Sequence, residues 1–349
     1  MSGSFSGIYS EFHGAECVTE RPWHSSYPAG VPQAIDPDQY VSLVELLEAN
    51  FERFADLPAF SNLGVQLSFS EIDRLSRDFA AYLQSDPRLQ PGDRVAVMQP
   101  NILQYPVAVF GILRAGFVVV NANPLYTPRE LEHQITDSGA KAIVVLENFA
   151  ATVAEVVAAT DVSLVIVTRL GDHQPPIKQV LTNFVVNYVK RLVPRWRIDG
   201  AVRYQQAMDI GSGREFSSVE IGPSDIAFLQ YTGGTTGVAK GAMLTHRNMV
   251  SNVLQSSTWS RAVIDGAGEL IVTPLPLYHI FALTVNLFSF IELGGHNLLI
   301  TNPRDIPGFI KQLKAAPLSF LTGVNTLFVA LLQRPEFSEV NFSQLTACM

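Results

Sequence analysis

The chain has 349 residues, 47% of them hydrophobic, and a formal net charge of -8. That is enough apolar material to pack one large α/β unit or about two to three smaller domains, which excludes wholesale disorder. The acidic balance excludes a general nucleic-acid binder and fits poorly with an unassisted binder of anionic membranes, unless basic residues cluster locally.

Cys17 and Cys348 form no C-x-x-C pair and no metal-ligand spacing, so a reducing, cytoplasmic setting is the simplest reading. Met1 to Glu20 lacks a basic segment followed by an apolar one, so no signal peptide is expected. The most apolar run, Ile280 to Ile291, is broken by Thr284, Asn286 and Ser289. It falls short of the ~20 residues of a membrane span and reads as a buried helix. The chain stops at Ala347-Cys348-Met349 without a polar tail, as expected of a fragment.

Residues 1–40, rich in Gly, Ser, Pro and aromatics, read as an irregular arm. A helix is expected from Ser70, with Asp73 approximating a capping box and Ile72, Leu75, Phe79 and Leu83 on one face. Pro91-Gly92-Asp93 turns into a strand over 94–98, followed by a buried helix over 103–114 that ends at Gly116. A strand at Val118–Val120 precedes a helix opened by Thr127 as cap, Pro128 at the first position and Glu130 completing the box. Further strands are expected over 142–146 and 164–168, then an amphipathic helix over 181–192.

In the second half, strands are expected over 226–231, 269–273, 297–300 and 319–321. Helices are expected over 246–260, 280–293, 305–314 and 326–332. Alternation at this density implies an α/β fold: two subdomains of mainly parallel sheets covered by helices, divided as 41–200 and 201–349.

The sharpest feature is Tyr231-Thr232-Gly233-Gly234-Thr235-Thr236-Gly237-Val238-Ala239-Lys240-Gly241, directly after a predicted strand. Glycines let backbone N–H groups approach a ligand, threonine hydroxyls add donors, and Lys240 adds a positive charge. Together these suit a polyphosphate. The loop is neither a Walker A motif, which needs Gly-Lys-Ser/Thr in succession, nor a G-x-G-x-x-G fingerprint. The competing reading, a flexible linker, fits the strand context and the lysine poorly.

Tyr231 to Asn248, YTGGTTGVAKGAMLTHRN, resembles the phosphate-binding signature of the adenylate-forming superfamily, which includes acyl-CoA ligases. Pro276 to Leu283 resembles that family's second motif, whose histidine lies by the substrate carboxylate. Asn123 to Thr127, Asn302 to Asp305 and Thr322 to Phe328 resemble its long-chain fatty-acyl branch.

The resemblance implies ATP-dependent conversion of a long-chain fatty acid to acyl-AMP and then to acyl-CoA, feeding fatty acid degradation. Coenzyme A is the co-substrate and Mg2+ accompanies ATP. It assigns nucleotide binding to Tyr231, Thr232, Gly233, Gly234, Thr235, Thr236, Gly237 and Lys240, and catalytic roles to Lys240 and His279. His279, Phe281, Leu283, Gly323, Val324 and Thr326 would contact the acyl substrate. Taken alone, these apolar residues read as core, and a lone histidine between apolar segments as a satisfied core residue. A position after a strand and turn and before a helix favours a ligand contact for His279.

The family's metal-holding glutamate, ribose-binding aspartate and mobile carboxy-terminal domain with its lysine find no match here. No metal ligand is therefore assigned in this chain, and alone it is expected to make no acyl-CoA. Alternatives are an acyl-AMP ligase serving another acceptor and a non-catalytic acyl-binding module. The missing G-x-S-x-G and H-E-x-x-H motifs weaken hydrolase readings.

Relatives in the family are commonly homodimers. Leu181, Phe184, Val185, Tyr188, Val189 and Leu192 share one helix face, near Lys178, Lys190, Arg191, Arg195, Arg197 and Arg203. That pattern suits peripheral attachment to the anionic inner face of the cytoplasmic membrane, or equally a helix packed on the core with a solvated side.

Overall fold

A computed structural model of the chain describes residues 21–232, 239–264 and 266–349. Its strands, in chain order, are β1 (Pro58–Asn62), β2 (Val65–Ser68), β3 (Arg94–Met98), β4 (Val118–Asn121), β5 (Ala140–Leu146), β6 (Leu164–Thr168) and β7 (Val202–Arg203). They continue with β8 (Ile226–Thr232), β9 (Lys240–Thr245), β10 (Leu270–Thr273), β11 (His296–Leu299), β12 (Phe320–Leu321) and β13 (Ala347–Cys348).

Two sheets form, ordered β7-β6-β5-β3-β4-β8-β9 and β13-β12-β10-β11-β1-β2. Each is parallel except for one antiparallel edge strand, β9 beside β8 and β2 beside β1. The Val/Ile-rich runs of β3 to β6 are buried on both faces, as parallel strands under helices must be.

Five layers result. Val95, Val97 and Val119 of the first sheet and Phe60 and Leu299 of the second share one central core with Phe79, Phe110, Val250 and Phe288 from the intervening helices. Ala96, Val120, Val145 and Val167 face the opposite way, onto the helices Pro128–Ser138 and Ala150–Val156. Val272 and Ile300 face the helices Ile306–Lys314 and Asn325–Leu332. The helix Gln104–Arg114 lies in the central layer with every residue buried, which is why its sequence is apolar almost all round.

The sheets do not divide at residue 200. β1 and β2 join the second sheet through parallel pairing of Phe60 with Asn297, while β8 and β9 complete the first. Strand pairing follows hydrogen-bonding partners in space, and here it threads each sheet with an element from the other half of the chain.

Local expectations hold with specific shifts. The box at Thr127 and Glu130 forms, and Gly139 ends that helix at φ 63°. The helix expected from Ser70 starts at Phe69, capped by Ser68 and boxed by Glu71 rather than Asp73. The helix expected over 181–192 begins at Pro176, suited to a first helical turn, and runs as π-helix over Val185–Val189. The helix expected over 280–293 has a π segment, Leu283–Ser289, between short α turns. Among the described residues no helix is long and apolar enough to cross a membrane.

Candidate functional site

Three strand ends from the two sheets meet. β10 and β12 are parallel neighbours, with Val272 opposite Leu321, so the segments 274–279 and 322–326 leave the second sheet side by side. From the first sheet, the buried Gln230 of β8 donates through Nε2 to the Tyr278 carbonyl at 2.9 Å. Its Oε1 accepts from Asn121 Nδ2 at 3.1 Å, which orients the amide. The strand leading into the glycine loop is thus tied to the residue preceding His279. Ligand sites of open parallel sheets form at such carboxyl ends.

Beneath the two second-sheet segments lies a buried polar cluster. Asn286 donates to Thr273 Oγ1 at 3.0 Å and to Thr322 Oγ1 at 2.9 Å, and Thr273 donates to Asn297 Oδ1 at 2.9 Å. Asn286 lies within the π segment; such segments recur at functional sites.

Gly233, Gly234, Thr235, Thr236 and Gly237 lie outside the described residues. Both ends of their loop are held in one hairpin, with Thr232 opposite Lys240 and Tyr231 opposite Gly241. Thr232 and Lys240 are exposed at its mouth. Tyr231 differs from its neighbours. It is buried, and its hydroxyl donates to Asp137 at 2.5 Å, so it anchors the hairpin to the helix Pro128–Ser138. Burial, and then the Asp137 carboxylate, push its phenol well above the usual tyrosine range. A Cβ on Gly241 would meet the Tyr231 ring at 2.9 Å, so this glycine permits close packing at the hairpin base.

His279 is exposed and caps the short helix that follows, its Nδ1 accepting from the Phe281 N–H at 3.4 Å. With Nδ1 as acceptor, the neutral ring carries its hydrogen on Nε2, which can donate to a ligand oxygen. Phe281, Val324 and Thr326 are exposed and Gly323 is half-buried. Leu283 is fully buried in the central core and contributes packing there.

A cleft of about 490 Å³ opens beside Tyr278, bringing together Pro124 and Leu125, Asn302 and Arg304, and Val186 and Lys190 from three distant stretches of sequence. Burial raises the Tyr278 phenol, and the Arg304 charge opposes the shift.

Gln230, Asn121 and Asn286 were not anticipated as site residues. Their signal was present: an amide amid the apolar strand IAFLQYT, an asparagine closing VVVN, and another inside the most apolar helix. A polar group at such a position must find a buried partner.

Among known proteins, the long-chain-fatty-acid–CoA ligase of Escherichia coli O157:H7 is 56% identical over 326 residues, 93% of this chain. The enzyme of that name from Haemophilus influenzae is 52% identical over 328 residues. The chain spans 58% of the length of each. The crystal structure of the anthranilate CoA ligase AuaEII in complex with anthranoyl-AMP matches with a TM-score of 0.75 at 17% identity. The match covers 90% of this chain and 56% of that one, a likeness of fold. Residues 47–349 match the AMP-binding enzyme family. The β8–β9 hairpin that flanks the glycine-threonine sequence and the strand-end segment carrying His279 both lie within that match, and the chain belongs to the AMP-binding enzyme family.

Proposed function

We propose that the complete protein is a long-chain fatty-acid–CoA ligase that forms acyl-AMP from a fatty acid and ATP and then transfers the acyl group to coenzyme A. The observation that supports this reading is the Gln230–Tyr278 tie, which joins the strand leading into the glycine-threonine loop to the residue before His279. Extensive identity to ligases of that name supports the substrate class.

In the first step a carboxylate oxygen bonds to the α-phosphorus and pyrophosphate leaves. The carboxylate is already a nucleophile, so no general base is needed, and catalysis reduces to positioning and charge neutralisation. In this reading Lys240 and the threonines of its sequence motif bind the polyphosphate, while His279 Nε2–H holds the carboxylate. Phe281, Gly323, Val324 and Thr326 contact the acyl chain. In the second step the thiol sulfur bonds to the acyl carbon, AMP departs and the thiol proton is released.

Mg2+ would accompany the nucleotide phosphates. Among the described residues no three Asp, Glu, His or Cys side chains come together to hold a metal, so no step is assigned to it in this chain.

The reading includes attachment to an anionic membrane at the cytoplasmic face. It is supported by the uncovered apolar face of the segment from Pro176 to Leu192, where Leu181 is 60% and Tyr188 71% exposed. Lys190, Arg191 and Arg195 lie exposed beside it, while Arg197 pairs with Asp199 and Arg203 with Glu147. A homodimer, implied by family resemblance alone, completes the reading and is checked by mass in solution.

Product analysis decides the acceptor. With a C16 fatty acid and ATP, the complete enzyme should yield acyl-CoA when coenzyme A is present. Acyl-AMP that persists in coenzyme A and is consumed only by a carrier protein would replace this reading with that of an acyl-AMP ligase.

A further inference from the structure

The segment that delivers His279 begins Thr273-Pro274-Leu275-Pro276-Leu277. Two prolines deprive it of backbone donors, so it cannot hold its shape by regular pairing. Its shape is supplied from the other sheet. Asn101, three residues beyond β3 and 3% exposed, donates through Nδ2 to the carbonyls of Thr273 and Leu275, both at 2.9 Å. Its Oδ1 accepts from the Leu277 N–H at 2.9 Å. Two carbonyls on one side and an N–H on the other permit a single orientation of the amide.

Asn101 is itself held. Its carbonyl accepts from Thr301 Oγ1 at 3.0 Å, and Thr301 accepts from Asn62 Nδ2 at 2.9 Å. The neighbouring Tyr105 hydroxyl, fully buried, lies 2.8 Å from both the Leu277 carbonyl and Asn121 Oδ1. The three Asn101 side-chain bonds and one bond of Tyr105 thus end on backbone two to six residues before His279.

We propose that Asn101 is a positioning residue for the acyl-activation reaction, fixing His279 in place by bonding three backbone groups of the proline segment that precedes it. The proposal rests on the ligase reading above. An aspartate at 101 would face two carbonyls with an oxygen and fail, and an alanine would leave the Leu277 N–H without its partner. Displacement of a ligand-holding group by ~1 Å costs roughly 10²-fold in rate.

The test is a double-mutant cycle on pyrophosphate exchange per folded active site in the complete enzyme, using Asn101→Ala, His279→Ala and the pair. Asn101→Ala should lower the rate roughly tenfold to a hundredfold. In the His279→Ala background the same change should cost less than about twofold, because the group it positions is gone. Tyr105→Phe, which removes one hydroxyl, repeats the cycle if Asn101→Ala does not fold. Equal losses in both backgrounds, or an unchanged rate in the single variant, would overturn the proposal. The proposal needs only the adenylation step of that reading; if that step itself were wrong, the wild type would show no fatty-acid-dependent exchange at all.

Discussion

Replacing Asn286 by alanine perturbs the polar cluster beneath both site segments. Its amide bonds Thr273 and Thr322, and all three residues are fully buried. Truncation leaves the Thr322 hydroxyl with no partner among the described residues, a cost of about 1–3 kcal/mol. Thr273 keeps Asn297 as acceptor and loses one bond, about 1 kcal/mol more. The sum is about 2–4 kcal/mol, which lowers the melting temperature of a large domain by roughly 5 °C or more. Adding Thr322→Val removes the stranded hydroxyl with little change of shape and should restore about 1 kcal/mol. The cycle of Asn286→Ala and Thr322→Val, followed by circular dichroism melts and urea unfolding, should therefore show coupling of at least ~1 kcal/mol. Additive effects, or a melting temperature unmoved by Asn286→Ala, would refute the reasoning.

Lys240→Ala or Thr235→Ala in the complete enzyme should slow fatty-acid-dependent adenylation by ~10²-fold, and wild-type rates in both would remove the phosphate assignment of the hairpin. Burial holds His173, His246 and His296 at pKa values of about 4, below the unfolded value of 6.5. Their neutral forms are favoured on folding, so this contribution is complete above pH 6.5 and is lost as pH falls towards 4. Urea unfolding between pH 7 and 4.5 should show that decline, less steep in His246→Gln; an identical slope would contradict it. Co-sedimentation with anionic vesicles should weaken with salt and with Lys190, Arg191, Arg195 and Arg197 changed to Gln, each charge contributing ~1 kcal/mol. Equal binding to neutral vesicles would remove the membrane proposal.

Legibility in the sequence followed the range of the interaction involved. The cap at Thr127, the strand 164–168 and the helix 246–260 are set by neighbours within a few residues, and they formed where periodicity and capping put them. The hairpin β1–β2 was missed. Its strands are short, and its turn, Leu63-Gly64, has positive φ at both positions without the Asn-Gly dipeptide that signals such turns. β9 was hidden because its residues belong equally to the phosphate-loop motif. Lys240 and His279 stand out in the sequence through motif chemistry. The buried amides do not, because Gln230, Asn121 and Asn286 take partners across the sheet junction or from segments distant in sequence.

The most direct test of the account is ATP–pyrophosphate exchange by the complete enzyme, measured with and without a long-chain fatty acid and compared with His279→Ala. Reversible attack of the carboxylate on the α-phosphorus predicts exchange that requires the fatty acid, proceeds without coenzyme A, and falls when His279 is removed. Exchange that is absent, or that runs equally well without fatty acid, would contradict it.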